Sequence, residues 1–171
     1  FLVLCLACAR IGAAANPVMP IFRQHELTFM LNFGESKVFI VPKVFRGFDH
    51  EAMARSMLHD LPHLTNLVVI GGEGEDSFES RLLGDDTPAL SGPGIGPDDV
   101  LLLMYTSGTT GEPKGVMHTS NTLFSNLHAF REALELGPDD IILGASPMAH
   151  LTGYGYLAML PLLLNSTTVL Q

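Results

Sequence analysis

Apolar positions along the chain fall alternately into short runs and wider helical stripes. Residues 12–17 read as a strand, 24–33 as a helix with Leu27, Met30 and Leu31 on one face, and 37–42 (KVFIVP) as a second strand. Met53, Met57, Leu58 and Leu61 give the next helix its stripe, and 66–70 (NLVVI) makes a third strand. Further on, the apolar strand 100–105 precedes a helix marked by Leu123, Leu127, Phe130 and Leu134. A strand opening at Ile141, a helical or extended apolar stretch over 151–164 and a final strand over 167–170 complete the pattern. Strands and helices taking turns imply βαβ crossovers, so the predicted class is α/β, a mainly parallel sheet flanked by helices. Such a sheet needs both faces covered.

Between these elements, residues 71–97 are rich in Gly, Pro and acids, and read as a surface excursion with one short helix near 78–83. Its carboxylates are a solvated face, because no apolar pocket signal surrounds them. The segments Gly96-Pro97-Asp98-Asp99 and Gly137-Pro138-Asp139-Asp140 repeat the same punctuation ahead of two strands. Their flanks do not match, so shared turn chemistry explains them better than an internal repeat.

Composition narrows the partners. At 171 residues, 47% hydrophobic and 16% charged, the chain can bury a sizeable core and is no disordered tail. Eighteen acids against nine Lys and Arg give a formal charge of −9 with no basic stripe, which argues against nucleic acid as a partner. A nucleotide ligand would need local positive help. The apolar opening is broken at Arg10, well short of the roughly 20 residues of a membrane span, and reads as a buried helix feeding the first strand. Cys5 and Cys8 form a CxxC without a second Cys or His pair nearby, so they read as buried free thiols, consistent with a reducing cytoplasm. The chain opens on Phe1 and is apolar at both ends, which reads as an internal piece of a larger protein.

The segment that carries chemistry is YTSGTTGEPKG, residues 105–115. A buried strand runs into Thr106, Ser107, Gly108, Thr109, Thr110 and Gly111, followed by Pro113-Lys114-Gly115 and a helix opening near Thr119 or Ser120. Glycines let several backbone N–H groups face one anion, the hydroxyls add donors, and Lys114 brings a mobile point charge suited to phosphate oxygens. The Walker spacing does not fit, since Pro113 stands where its second glycine belongs and Gly115 where its Ser or Thr belongs. A flexible linker would not explain one lysine beside a proline at the end of a buried strand.

The segment 105–119 (YTSGTTGEPKGVMHT) resembles the phosphate-binding motif of the adenylate-forming, or AMP-binding, superfamily, which includes acyl-CoA synthetases, aryl-CoA ligases, luciferases and peptide-synthetase adenylation domains. Residues 146–153 (SPMAHLTG) look like the family's later segment, where an aromatic or His ahead of a glycine lines the carboxylate pocket, and 10–17 (RIGAAANP) look like its early strand. Residues 16–23 (NPVMPIFR) and 36–48 are most similar to cyclohexanecarboxylate–CoA ligases and related short- or medium-chain acyl-CoA synthetases.

The resemblance implies that residues 1–171 are part of a large N-terminal domain, with the family's small C-terminal domain absent. It implies an ATP-dependent ligase using Mg2+, a small-molecule carboxylate and coenzyme A, which makes an acyl-adenylate and then an acyl-CoA. Thr106, Ser107, Gly108, Thr109, Thr110, Gly111 and Lys114 would hold ATP and its pyrophosphate, and His150 and Gly153 would line the carboxylate pocket. No metal ligand is assigned: His59 and His63 have i, i+4 spacing, but Pro62 breaks the helix that would align them. His118 is left outside the core set. Because the family's adenine, ribose and catalytic-lysine segments are missing, the piece alone is expected to be inactive. The rivals are an adenylation domain loading a carrier-protein thiol, a luciferase-like oxidase and a non-catalytic nucleotide-binding domain.

Overall fold

The computed structural model describes residues 1–84, 92, 94–106 and 113–170. In chain order the elements are α1 (Leu2–Arg10), α2 (Gln24–Phe33), β1 (Val38–Pro42), β2 (Val44–Phe45), β3 (Phe48–Asp49), α3 (His50–Ser56), β4 (Asn66–Ile70), α4 (Phe78–Leu82), β5 (Val100–Thr106), β6 (Lys114–Thr119), α5 (Ser120–Ala133), β7 (Ile141–Gly144), α6 (Leu160–Leu164) and β8 (Thr167–Leu170). A π-helical segment, Gly153–Met159, runs into α6. The chain divides into two compact units, Pro20–Leu90 and a discontinuous one made of Phe1–Met19 and Ser91–Gln171.

In the Pro20–Leu90 unit, β1 and β4 pair in parallel, Val38 opposite Asn66 through Pro42 opposite Ile70, as the strand–helix–strand alternation predicts. Phe39, Val41, Leu67, Val68 and Val69 are buried, together with Leu27, Met30 and Leu31 of α2 and Met53 and Ala54 of α3. α3 starts where Asp49 Oδ1 accepts the Ala52 N–H at 2.8 Å. The stripe Met53, Met57, Leu58 and Leu61 does not stay on one α-helix: α3 stops at Ser56 and a 3₁₀ turn, Leu58–Asp60, follows. Pro62 disfavours α geometry at Leu61, and the tighter turn buries Met57 and Leu61 while leaving Leu58 exposed.

The discontinuous unit holds the motif. β5 and β6 form an antiparallel pair and β7 and β8 a parallel one. Among the described residues, two strand pairs are therefore parallel and two, β5–β6 and β2–β3, antiparallel. The α/β class stands, but the pair around the motif is a hairpin that the expectation of a mainly parallel sheet did not contain. Residues 12–17 do not form a full strand. Gly12 turns at φ 75, Pro17 has no N–H to give a ladder, and what remains is one parallel bridge, Ala15 opposite Leu102. One apolar cluster joins Cys5 of α1, Ala15, Leu101, Leu102 and Met104 of β5, Leu123 and Leu127 of α5, and Tyr154, Ala158 and Met159 of the π-helical segment. Burial pushes the Cys5 thiol up to about 11, so it stays protonated and inert. No described helix is long and apolar enough to cross a membrane.

The two Gly-Pro-Asp-Asp segments have the same local structure. Asp99 Oδ2 accepts the Gly96 N–H at 2.8 Å, and Asp140 Oδ2 accepts the Gly137 N–H at 2.7 Å. Each is a side-chain-closed turn that launches a strand, β5 in one case and β7 in the other.

α2 and α5 end alike, in a left-handed residue that is not glycine. After α5, the Leu136 N–H reaches Arg131 O at 3.0 Å and the Glu135 N–H reaches Glu132 O at 3.3 Å, with Glu135 at φ 55. A side chain at that position carries a steric cost that glycine lacks. Glu135→Gly should therefore stabilise the protein by about 0.5–1 kcal/mol after the unfolded-chain entropy of glycine is subtracted. Denaturant unfolding of the two proteins checks this, and a loss of stability would contradict the assigned cap.

Candidate functional site

The described ends of the motif belong to the β5–β6 pair. Pairing continues to the last described residue on each side, with Tyr105 opposite Gly115 and Thr106 opposite Lys114. Ser107, Gly108, Thr109, Thr110 and Gly111 lie outside the described residues, as does Glu112. Directly opposed residues of an antiparallel pair share a face, so the Thr106 hydroxyl and the Lys114 ammonium belong to the same side of the hairpin. Both residues are exposed. Among the described residues no carboxylate is paired with Lys114.

The base of the hairpin is fixed at both ends. Leu101, Leu102 and Met104 are buried, and a register shift between Val100 and Leu102 lets two adjacent leucines enter the core. β6 passes without a linker into α5. Thr119, the last residue of the strand, caps the helix: its Oγ1 accepts the Thr122 N–H at 3.2 Å while Thr122 Oγ1 accepts the Thr119 N–H at 2.9 Å. Asn121 adds a bond from Nδ2 to Asp98 Oδ1 at 2.7 Å, linking the helix start to the turn ahead of β5. The helix thus opens where the sequence places it, but the strand in front of it was not foreseen.

His118 shares its face with Lys114, yet it lies four residue steps along the strand, about 13 Å at roughly 3.3 Å per residue. Burial holds its imidazole pKa below the ordinary value, so it is neutral at physiological pH. Distance and charge both keep it out of an anion site at the tip.

His150 and Gly153 form a second group, on the turn that leads into the π-helical segment. The His150 N–H reaches Pro147 O at 3.0 Å, and His150 O accepts the Tyr154 N–H at 2.9 Å. His150 Nδ1 accepts the Thr152 N–H at 3.2 Å, which assigns the proton of the neutral ring to Nε2. The exposed ring can therefore offer one N–H outward. Gly153 is buried against this turn: a Cβ there would overlap the Pro147 carbonyl and come within 2.9 Å of Met148 Cα. Tyr154, next in the chain, is 1% exposed, and its burial raises the hydroxyl pKa to about 12. Through Tyr154 and β5, both groups are anchored in the same apolar cluster. No hydrogen bond joins the two groups among the described residues.

Sequence reasoning missed Asn16, whose side chain is hydrogen-bonded to Tyr105, and Thr119 as the joint between strand and helix. Only the second left a local signal, a Thr with a hydroxyl residue three positions on at a predicted helix start. No cluster of three or more His, Cys, Asp or Glu able to hold a metal occurs among the described residues.

A family model described as AMP-binding enzyme matches residues 1–171. The chain belongs to that family. Relatives of the AMP-binding chain include the medium-chain fatty-acid–CoA ligase of Escherichia coli, 30% identical over 173 residues, a match that covers 99% of this chain and 31% of that protein. A salicylyl-CoA synthase / salicylate adenylyltransferase from a Streptomyces species is 34% identical over 158 residues, covering 88% and 29% respectively. Among solved structures, a long-chain fatty-acid–CoA ligase from Archaeoglobus fulgidus superposes with a TM-score of 0.80 at 29% identity, covering 98% of this chain and 32% of that one. The AMP-binding chain thus spans about a third of the length of the relatives it matches.

Gly153→Ala should lower stability by about 1–3 kcal/mol, because the new methyl meets backbone that cannot rotate away. Thermal unfolding checks it, and an unchanged midpoint would mean that the turn at Pro147 is not packed as described.

Proposed function

We propose that the protein carrying this chain is an ATP-dependent carboxylate–CoA ligase, which forms an acyl-adenylate and then an acyl-CoA, and that residues 1–171 are part of its large N-terminal domain. The observation that carries this reading is the placement of a Ser/Thr/Gly segment between Thr106 and Lys114, two register partners on one face of a core-anchored hairpin. A polyphosphate fits that donor set. The Thr106 hydroxyl and Lys114 ammonium supply a donor and a positive charge, and Ser107, Gly108, Thr109, Thr110 and Gly111 supply further hydroxyls and N–H groups between them.

In the first half-reaction a carboxylate oxygen attacks the α-phosphorus of ATP and pyrophosphate leaves. In the second, the thiol of coenzyme A displaces AMP. The work of this chain is to hold the departing phosphates. Lys114 offsets negative charge that grows on pyrophosphate as the bond breaks, and a fixed hairpin keeps the leaving group in line with the attacking oxygen. Mg2+ bound to the ATP would neutralise the same charge, and no residue of this chain is assigned to it. His150 would meet the substrate carboxylate with its Nε2–H, while Gly153 keeps the supporting turn close-packed. Residues 16–23 and 36–48 favour an alicyclic or short- to medium-chain carboxylic acid.

A second reading, an adenylating enzyme that passes the acyl group to a carrier thiol, is supported by the adenylyltransferase half of the Streptomyces relative's name. Incubation of the intact protein with ATP and a panel of carboxylates, read as pyrophosphate release with and without coenzyme A, separates the two. Adenylate formation that coenzyme A does not turn over would favour the carrier reading, and no release with any acid would remove both.

In the intact protein Lys114→Ala should slow adenylate formation roughly 10- to 100-fold, the worth of one charge-assisted phosphate contact, without shifting the unfolding midpoint. An unchanged rate would take the phosphate role away from Lys114. The 171 residues by themselves, a third of a relative's length, should support no carboxylate-dependent ATP–pyrophosphate exchange. Measurable exchange would mean that the required groups are fewer than supposed.

A further inference from the structure

The last buried residue of β5 is Met104, two positions before the hairpin tip. Beyond it Tyr105 is half-buried and Thr106 exposed, and a strand end in that state frays unless something else holds it. Cross-strand packing cannot do so, because the residue opposite Tyr105 is Gly115, which has no side chain to offer.

The restraint comes from the other side of the strand. Ala15 donates its N–H to Leu101 O at 2.9 Å and accepts the Leu103 N–H at 2.8 Å, which lays its segment parallel to β5. The next residue, Asn16, donates from its side-chain amide to the Tyr105 hydroxyl. Tyr105 itself is not a phosphate ligand by this geometry. It alternates with Thr106 along the strand, so its side chain lies on the face opposite to Thr106 and Lys114. Its hold on Thr106 passes through the strand backbone the two share.

We propose that Asn16 is a positioning residue for the phosphate site: by holding Tyr105 it fixes where β5 ends, and so the place of Thr106 and the register that sets Lys114 opposite. The proposal rests on the reading of residues 106–114 as a polyphosphate cradle. Burial raises the pKa of the Tyr105 hydroxyl and the Asn16 bond opposes the rise, so it stays protonated at neutral pH and the tether is a neutral one.

The test compares the intact protein with its Asn16→Ala, Tyr105→Phe and double variants. Binding of ATP with Mg2+ is measured by calorimetry, with thermal unfolding and ATP–pyrophosphate exchange in parallel. Each single variant should weaken ATP binding roughly 3- to 10-fold, as expected for a displaced rather than deleted contact. The double variant should bind no more weakly than the poorer single one, because both changes remove the same bond. In exchange, the KM for ATP should rise more than kcat falls. ATP binding that is unchanged in the single variants overturns the proposal, as does a double variant whose losses multiply. A lowered unfolding midpoint with intact ATP binding also overturns it, since the bond would then serve stability alone. If the unmodified protein neither binds ATP nor exchanges pyrophosphate, the cradle reading fails and takes this proposal with it. If the unmodified protein does both and the variants match it, only the role of Asn16 is lost.

Discussion

The antiparallel pairing of β5 with β6 is the constraint on which the site depends, and it is set from inside the protein. Leu101, Leu102 and Met104 are drawn into the apolar cluster, and that burial determines which residues of the strand are left to project at its end. Once Leu102 is seated, alternation puts Thr106 on the same face two pleats later, and the ladder puts Lys114 beside it. A shift of register by one residue would send Lys114 to the other face and pull a buried leucine out of the core with it. Buried leucines thus protect the position of an exposed cation they do not touch.

The same cluster reaches the second group of candidate residues. Tyr154 is buried beside Leu123 and Leu127 of α5, and Gly153 precedes it in a turn too tight for a methyl group. A chain with a formal charge of −9 has no general attraction for nucleotide phosphate, so an anion site here has to be local. Lys114 is the cation the motif brings to it. Several described acids already have partners of their own: Asp76 with Arg55 and Arg81, Asp98 with Asn121, and Asp99 and Asp140 with the N–H groups of their own turns.

Much of this was legible from the order of residues, and the exceptions share a cause. α2 and β4 fall where the periodicity puts them, since each buries its own apolar face: Leu27, Met30 and Leu31 in one, Leu67, Val68 and Val69 in the other. β6 escaped notice because its Val116 and Met117 are both exposed, so the strand is specified by its partner rather than by its own burial. The break after Ser56 followed from a proline six residues downstream, and the widened turn of residues 153–159 has no signature in a 3.6-residue period. In the site, Thr106 and Lys114 were readable as types and spacing. The bond from Asn16 to Tyr105 was not, because it joins residues far apart in sequence and neither belongs to a recognisable pair.

The junction at Thr119 has a consequence for how this stretch of chain can change over time. One residue closes the strand and opens the helix, with no loop between them. Inserting a single residue between Lys114 and Thr119 would turn every later strand side chain through half a revolution. It would also rotate the buried stripe of α5 by about 100° against a core that has no slack to follow. Side chains along this stretch are open to substitution where they are exposed, but its length is locked, so variation in length has to be confined to the segment before Lys114 or to the turn beyond α5.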